Sequence, residues 1–183
     1  MLYTLPLACD GGKLMIEAAM FAAAAHRGQN RKYHAQPYIA HPARIAATLM
    51  TKGAEPALIA AAWLHDVVED CKVEPHTIDQ LFGERVCGYV VAMTNPSKGL
   101  RGSRAEKKAI DREHWATITD ADAQWLKVED RLDNLRDAWA GPKDWRIVYA
   151  KESSLLIDVL TLAPEDIRQD CYNVIDHLLG ISE

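Results

Sequence analysis

The chain has 183 residues, 49% of them hydrophobic and 26% charged, with a formal net charge of −5. That length and composition suit one globular domain with a real core and exclude disorder as the main state. The acidic balance gives no general basis for binding nucleic acid or an anionic membrane, and no apolar run reaches the roughly 18 residues of a membrane span.

In chain order, Leu5-Pro6-Leu7-Ala8-Cys9 faintly resembles a lipoprotein cleavage site, but it lacks a basic start and a long apolar stretch, so it is discounted as a signal. The spacing predicts a helix over Leu14 to Arg27, then a polar stretch from Gly28 to Gln36. Pro37 opens the next predicted helix, which runs to Gly53. A third starts at Pro56 and runs to about Glu69, apolar nearly all round, as expected at the middle of a bundle. Thr77 is the expected cap of a short helix ending at Phe82-Gly83, and Val86 to Met93 forms another. After a loop from Pro96, helices are expected over Arg104 to Thr117, Ala121 to Trp139, Trp145 to Leu162 and Pro164 to Leu179. No alternating strand pattern appears. The expectation is an all-α, single-domain bundle of about eight to ten helices spanning residues 1–183. Cys9, Cys71, Cys87 and Cys171 are scattered without a C-x-x-C pair, which fits reduced thiols in the cytoplasm.

Chemistry concentrates in Leu64-His65-Asp66-Val67-Val68-Glu69-Asp70, directly after the most apolar helix. Carboxylates at a buried position need a partner, and a divalent cation is a common one. On one continuous helix, His65 would stack on Glu69 and Asp66 on Asp70. His41 and Asp130 are further candidate ligands on two other helices, and bundles assemble metal sites in this way. Two imidazoles and two carboxylates suit Mn²⁺, Fe²⁺ or Zn²⁺ better than Ca²⁺.

The order His…His-Asp…Asp resembles the HD-domain phosphohydrolase superfamily. The wider series is similar to the hydrolase domain of the RelA/SpoT alarmone enzymes. It comprises His26-Arg27-Gly28-Gln29-Asn30-Arg31-Lys32, Pro37-Tyr38-Ile39-Ala40-His41-Pro42, Leu64 to Asp70, Phe82-Gly83 and Glu129 to Arg136. The likeness covers about residues 14–139, the helices over about 145–180 match less specifically, and the length matches the stand-alone small alarmone hydrolases. The resemblance implies an all-α enzyme that removes the 3′-diphosphate from guanosine tetra- or pentaphosphate, releases pyrophosphate and uses Mn²⁺. It implies His41, His65, Asp66 and Asp130 as metal ligands and Glu69 and Asp70 as the pair that activates water. Arg31 and Lys32 would hold the guanine end, and Asn134 would contact ribose or phosphate.

The substrate's charge calls for cations, with Arg27, Lys107 and Arg112 the candidates beside Arg31 and Lys32. Arg104, Lys107, Lys108 and Arg112 can share one helix face as a basic lip. The sequence departs from the family pattern at Glu129, expected to add negative charge near the site, and across Asn95 to Arg112. The alternatives are another HD-type nucleotide hydrolase, removal of diphosphate from a tRNA 3′ end, and a non-catalytic alarmone-binding module. Asp133 and Asp137 are expected to be solvated or paired along their helix. Trp63, Trp125 and Trp139 are expected in the core, with Trp115 and Trp145 favoured there too.

Overall fold

The computed structural model describes residues 10–181, so the reading of Leu5 to Cys9 lies outside the described residues. Among the described residues ten α-helices follow one another: α1 (Asp10–Ala25), α2 (Ala40–Thr51), α3 (Pro56–Leu64), α4 (Val67–Asp70), α5 (Pro75–Phe82), α6 (Glu84–Met93), α7 (Arg104–Thr117), α8 (Ala121–Asp137), α9 (Lys143–Ile157) and α10 (Glu165–Leu179). A single 3₁₀ turn, Ala138–Ala140, separates α8 from α9. Among the described residues there is no strand, only an isolated bridge between Asn30 and Pro37. The all-α expectation and the helix number stand.

The core is built around α3. Leu58, Ile59, Ala60, Ala61, Ala62 and Leu64 are all buried, with α1, α2, α6 and α8 packed on them. A helix that is apolar on every side can satisfy only such a position. Each fully buried leucine there stabilises the fold by about 1.5–3 kcal/mol, and the three alanines let neighbouring helices approach closely. α8 differs: it buries Lys127, Glu129, Asp130 and Asp133 among apolar residues. Its start is fixed by Asp120, whose carboxylate accepts from the backbone N–H groups of Asp122 and Ala123 at 3.0 and 3.1 Å. α7 begins with a reciprocal cap between Ser103 and Glu106.

Several sequence expectations change. Pro37 does not open α2. It lies in the bridge to Asn30, where Arg31 N–H donates to Gln36 and Tyr38 N–H to Gln29, both at 2.9 Å. A turn over Tyr38 and Ile39, in which Ala40 N–H donates to the Pro37 carbonyl at 3.1 Å, then leads into α2 at Ala40. The third helix does not run on to Glu69 but stops at Leu64 and resumes as α4. His65 Nδ1–H donates to the Ala62 carbonyl at 2.8 Å, claiming an acceptor that a continuing helix would use. The expected stacked pairs on one unbroken helix are therefore replaced by a corner. α5 starts at Pro75, with Glu74 rather than Thr77 at its cap, and a positive-φ Gly83 then separates it from α6. α9 ends at Ile157, five residues short of the expected stop. Trp139 is 44% exposed instead of in the core, with the Arg146 guanidinium 4.8 Å above its ring. Trp115 is buried as expected, and Trp63 and Trp125 are half-buried against the core.

Candidate metal centre and adjoining cavity

The corner between α3 and α4 aims His65 and Asp66 at the same point that His41 reaches from the first turn of α2. One side-chain donor from each of these three residues lies within 4.8 Å of the other two. Asp130 comes from the middle of α8, and its Oδ1 is 3.2 Å from His41 Nε2 and 3.8 Å from His65 Nε2. Asp66 Oδ2 stands 2.9 Å from His65 Nε2 and 3.8 Å from His41 Nε2. Four residues that the sequence spreads over 90 positions thus converge.

The tautomers of both imidazoles follow from their other nitrogens. His41 Nδ1–H donates to Asp133 at 2.6 Å, and His65 Nδ1–H donates to the Ala62 carbonyl. Both acceptors lack protons, so each ring carries its hydrogen on Nδ1 and turns a bare Nε2 inward. Both Nε2 atoms are buried and make no hydrogen bond. Two unpartnered imidazole lone pairs facing two carboxylates form the donor set that a divalent cation completes. The electrostatics point the same way. Burial opposes a charge on His65, yet the adjacent Asp66 and Asp130 outweigh it and lift its pKa to about 9, so that without a cation these carboxylates draw a proton onto the Nε2 lone pair that a cation would take. Burial likewise opposes ionisation of Asp66 and Asp130. For Asp66 the facing imidazoles prevail, and for Asp130 Lys127 and those imidazoles do, so both stay ionised well below the usual carboxylate range. The pocket attracts positive charge.

A surrounding layer fixes these groups, and most of it was not singled out from sequence. Asp133, expected to be solvated or paired along its helix, is buried. It takes the His41 N–H and two bonds from the Arg44 guanidinium at 2.6 and 2.7 Å. Against its burial, His41 and Arg44 hold its pKa down to about 2. The Tyr38 hydroxyl donates to Asp66 Oδ2. Lys127 is buried, with Nζ 3.2 Å from Asp130 Oδ2. Asn134 donates to Asp130 Oδ1 at 2.6 Å and accepts from Arg31 at 2.8 Å. Arg44 at i+3 from His41, and Asp133 at i+3 from Asp130, were the legible signals for part of this layer.

Glu69 and Asp70 stand outside the cluster. Glu69 is half-buried and accepts from the backbone N–H and side chain of Asn95 at 2.8 and 3.2 Å, and burial raises its pKa. Asp70 is exposed, 3.2 Å from Lys98 Nζ.

Beside the metal cluster opens a cavity of about 260 Å³ bounded by Arg31, Lys32, Tyr33, Tyr38, Asn134, Trp145 and Tyr149 among others. Tyr33 and Trp145 rings lie 4.8 Å apart, and Trp145 stacks on Tyr149 at 5.0 Å. Trp145 is therefore half-buried against the core, as favoured, and also a cavity wall. Gly141 makes room for it, because a Cβ there would fall 2.8 Å from the indole. Arg31 is the floor of this cavity, tied to Asp137 at 2.8 Å. Lys32 is exposed at the rim, 5.0 Å from the Tyr33 ring.

The remaining candidates disperse. Arg112 and Lys108 border a small recess with Asn95, Lys127 and Arg131. Arg104 is bound to Glu152, with two bonds of 2.7 Å, so it is not a free charge on the expected basic lip. Arg27 is exposed beyond the end of α1 and Lys107 half-buried on α7, and neither borders the cavity or the recess. Glu129, expected to add charge near the cluster, instead pairs with Lys52 at 3.5 Å and accepts from Trp125 at 3.3 Å.

An all-helical frame that brings a histidine, a His-Asp pair and a distant aspartate to one buried point defines a class of protein. The HD domain model matches residues 18–157, and the chain belongs to the HD-domain family, whose sites hold a divalent metal. A Synechocystis protein named probable guanosine-3′,5′-bis(diphosphate) 3′-pyrophosphohydrolase is 39% identical over 138 residues, which are 73% of this chain and 18% of that protein. The chain thus spans less than a fifth of the length of the long relatives it matches. Shorter relatives align over most of their length. The protein named guanosine-3′,5′-bis(diphosphate) 3′-pyrophosphohydrolase MESH1 of Drosophila melanogaster is 34% identical over 71% of this chain and 73% of its own. A solved structure of a metazoan SpoT ortholog that hydrolyzes ppGpp superposes with a TM-score of 0.82 at 28% identity, covering 98% of this chain and 99% of that one.

Proposed function

We propose that this protein is a single-domain, cytoplasmic, Mn²⁺-dependent hydrolase that removes the 3′-diphosphate of guanosine tetra- and pentaphosphate. The observation that carries this reading is the pair of buried, unpartnered Nε2 atoms facing Asp66 and Asp130 beside an aromatic-walled cavity. The short relatives that align over most of their length, and are named for that reaction, support the choice of substrate.

His41, His65, Asp66 and Asp130 would hold the metal, and this nitrogen–oxygen donor set suits Mn²⁺. The bound cation supplies the Lewis-acid charge that phosphoryl transfer requires. The protein's own groups do the rest. The guanine end enters the aromatic cavity, where Arg31 offers a fixed, already neutralised surface and Lys32 a mobile charge. Asn134 sits between this cavity and Asp130, where a ribose or phosphate oxygen would arrive. Glu69 or Asp70 orients a water and takes a proton as its oxygen bonds to the ribose-linked phosphorus. The bond from that phosphorus to the ribose 3′ oxygen breaks, a proton reaches the leaving oxygen, and pyrophosphate departs with guanosine di- or triphosphate. Lys108 and Arg112, on the recess that Lys127 shares, would balance charge on the departing group. Arg27 and Lys107 are assigned outer roles in drawing the polyanion inward.

The test is incubation of the Mn²⁺-loaded protein with guanosine tetraphosphate and separation of the products by anion exchange, with Asp66→Ala as the control. Guanosine diphosphate and pyrophosphate from the wild type alone are the expected result. Turnover only of nucleoside monophosphates to orthophosphate, or only of 3′-diphosphorylated tRNA, would replace the substrate. Binding without any turnover would make the protein an alarmone-binding module.

A further inference from the structure

The carboxylate pair has an unusual mounting. α4 contains only four residues, Val67–Asp70, too short to fix a side chain by its own packing. Glu69 is held from outside, by the segment that leaves α6. The backbone N–H of Asn95 donates to Glu69 Oε1 at 2.8 Å, and its side-chain Nδ2 donates to Oε2 at 3.2 Å. Both carboxylate oxygens are thus gripped by one residue, and each keeps lone pairs free for a water. The grip is itself braced. Two residues on, the backbone N–H of Ser97 donates to the buried Asp111 of α7 at 3.2 Å, and Lys98 reaches back to Asp70 and to the Glu69 carbonyl. Asp70 has no such clamp. It is exposed and meets only a flexible ammonium.

On the reading above that this is a phosphohydrolase, we infer that Asn95 is a positioning residue that makes Glu69, rather than Asp70, the carboxylate that takes the proton from water. The Asn95 backbone N–H favours the ionised form of Glu69 against its burial, and together with the side-chain donor it holds both carboxylate oxygens in place on the short α4. A displacement of about 1 Å at such a group costs on the order of 10²-fold in rate. Asn95 opens the stretch from Asn95 to Arg112 that looks unlike the long alarmone enzymes.

Asn95→Leu keeps the bulk and removes the side-chain donor. The Mn²⁺-loaded variant should lose about 10- to 100-fold in kcat on guanosine tetraphosphate, with KM, Mn²⁺ affinity and Tm close to wild type. Asn95→Gln should recover part of the loss. The double variant with Glu69→Gln should be no slower than Glu69→Gln alone, because both changes act through one group. A kcat within twofold of wild type, a kcat loss accompanied by an equal loss of Tm or metal affinity, or additive losses in the double variant would each overturn the inference. The clamp also has a readout that needs no substrate. Glu69→Gln should shift the Asn95 backbone and side-chain amide protons in NMR spectra, and unmoved resonances would dismiss the clamp even if the protein turned over another nucleotide or none.

Discussion

The two sides of the site are built in opposite ways. The metal side is a closed network: His41, His65, Asp66 and Asp130 are each held by a second group, from Asp133 and the Ala62 carbonyl to Tyr38, Lys127 and Asn134. Apart from Tyr38, which precedes α2, all of these come from α2, from α3 and its corner with α4, and from α8, helices that pack on one another. The side that acts on water is open. Glu69 and Asp70 ride on a four-residue helix and are steadied by a loop. Cation affinity rewards a rigid cage, since every ligand must be in place together. Product release asks for a segment that can adjust, and a loop supplies one, while Asn95 in that loop holds the Glu69 carboxylate.

This contrast predicts a gradient of effects. Asp66→Ala, inside the closed network, should abolish turnover and high-affinity Mn²⁺ binding together, as measured by calorimetry and product analysis. Retained Mn²⁺ affinity would mean that the cage lies elsewhere. Asp133→Asn should come next. It leaves the four donors intact but loosens His41 and unbalances Arg44, so Mn²⁺ affinity should fall by about 10- to 100-fold. An unchanged titration would deny that Asp133 orients the ring. Trp145→Ala, on the cavity wall, should leave kcat and Mn²⁺ binding alone and raise KM for the guanosine nucleotide, since losing a stacked base costs about 1–3 kcal/mol. A fall in kcat with KM unmoved would place the base somewhere else. Glu129→Ala should do least at the site. It faces Lys52 and Trp125, so the expected change is about 1 kcal/mol of stability, read by chemical denaturation, and Mn²⁺ affinity within twofold of wild type.

The same division governs what could be read from sequence. The apolar alanine-rich run before His65 announced a buried helix, and a His-Asp pair at its end announced chemistry, because both signals are local. The break at His65 was not legible. It depends on a side chain competing for the Ala62 carbonyl, which no periodicity records. Asp133 read as a solvated charge because its partners, His41 and Arg44, lie about 90 positions away. That Trp145 also walls a cavity was not legible, because hydrophobicity does not distinguish a packed indole from one lining a cavity. Asn95 gave no signal at all, since an asparagine before a proline reads as a turn, and its grip on Glu69 exists only once α6 has brought it back to α4. The basic run of α7 differs in another way: helical spacing does put those residues near one another, but Glu152 and Asp111 pair with Arg104 and Lys108, and no periodicity records those partners.

The most direct test of the central claim is to run the Mn²⁺-dependent hydrolysis of guanosine tetraphosphate in ¹⁸O-labelled water and locate the label by mass spectrometry. Attack of water on the ribose-linked phosphorus puts one ¹⁸O in the released pyrophosphate and none in the guanosine diphosphate. Label in the nucleotide product, or release of unlabelled pyrophosphate, would contradict the arrangement of metal cage, water-activating carboxylate and nucleoside cavity described for this chain.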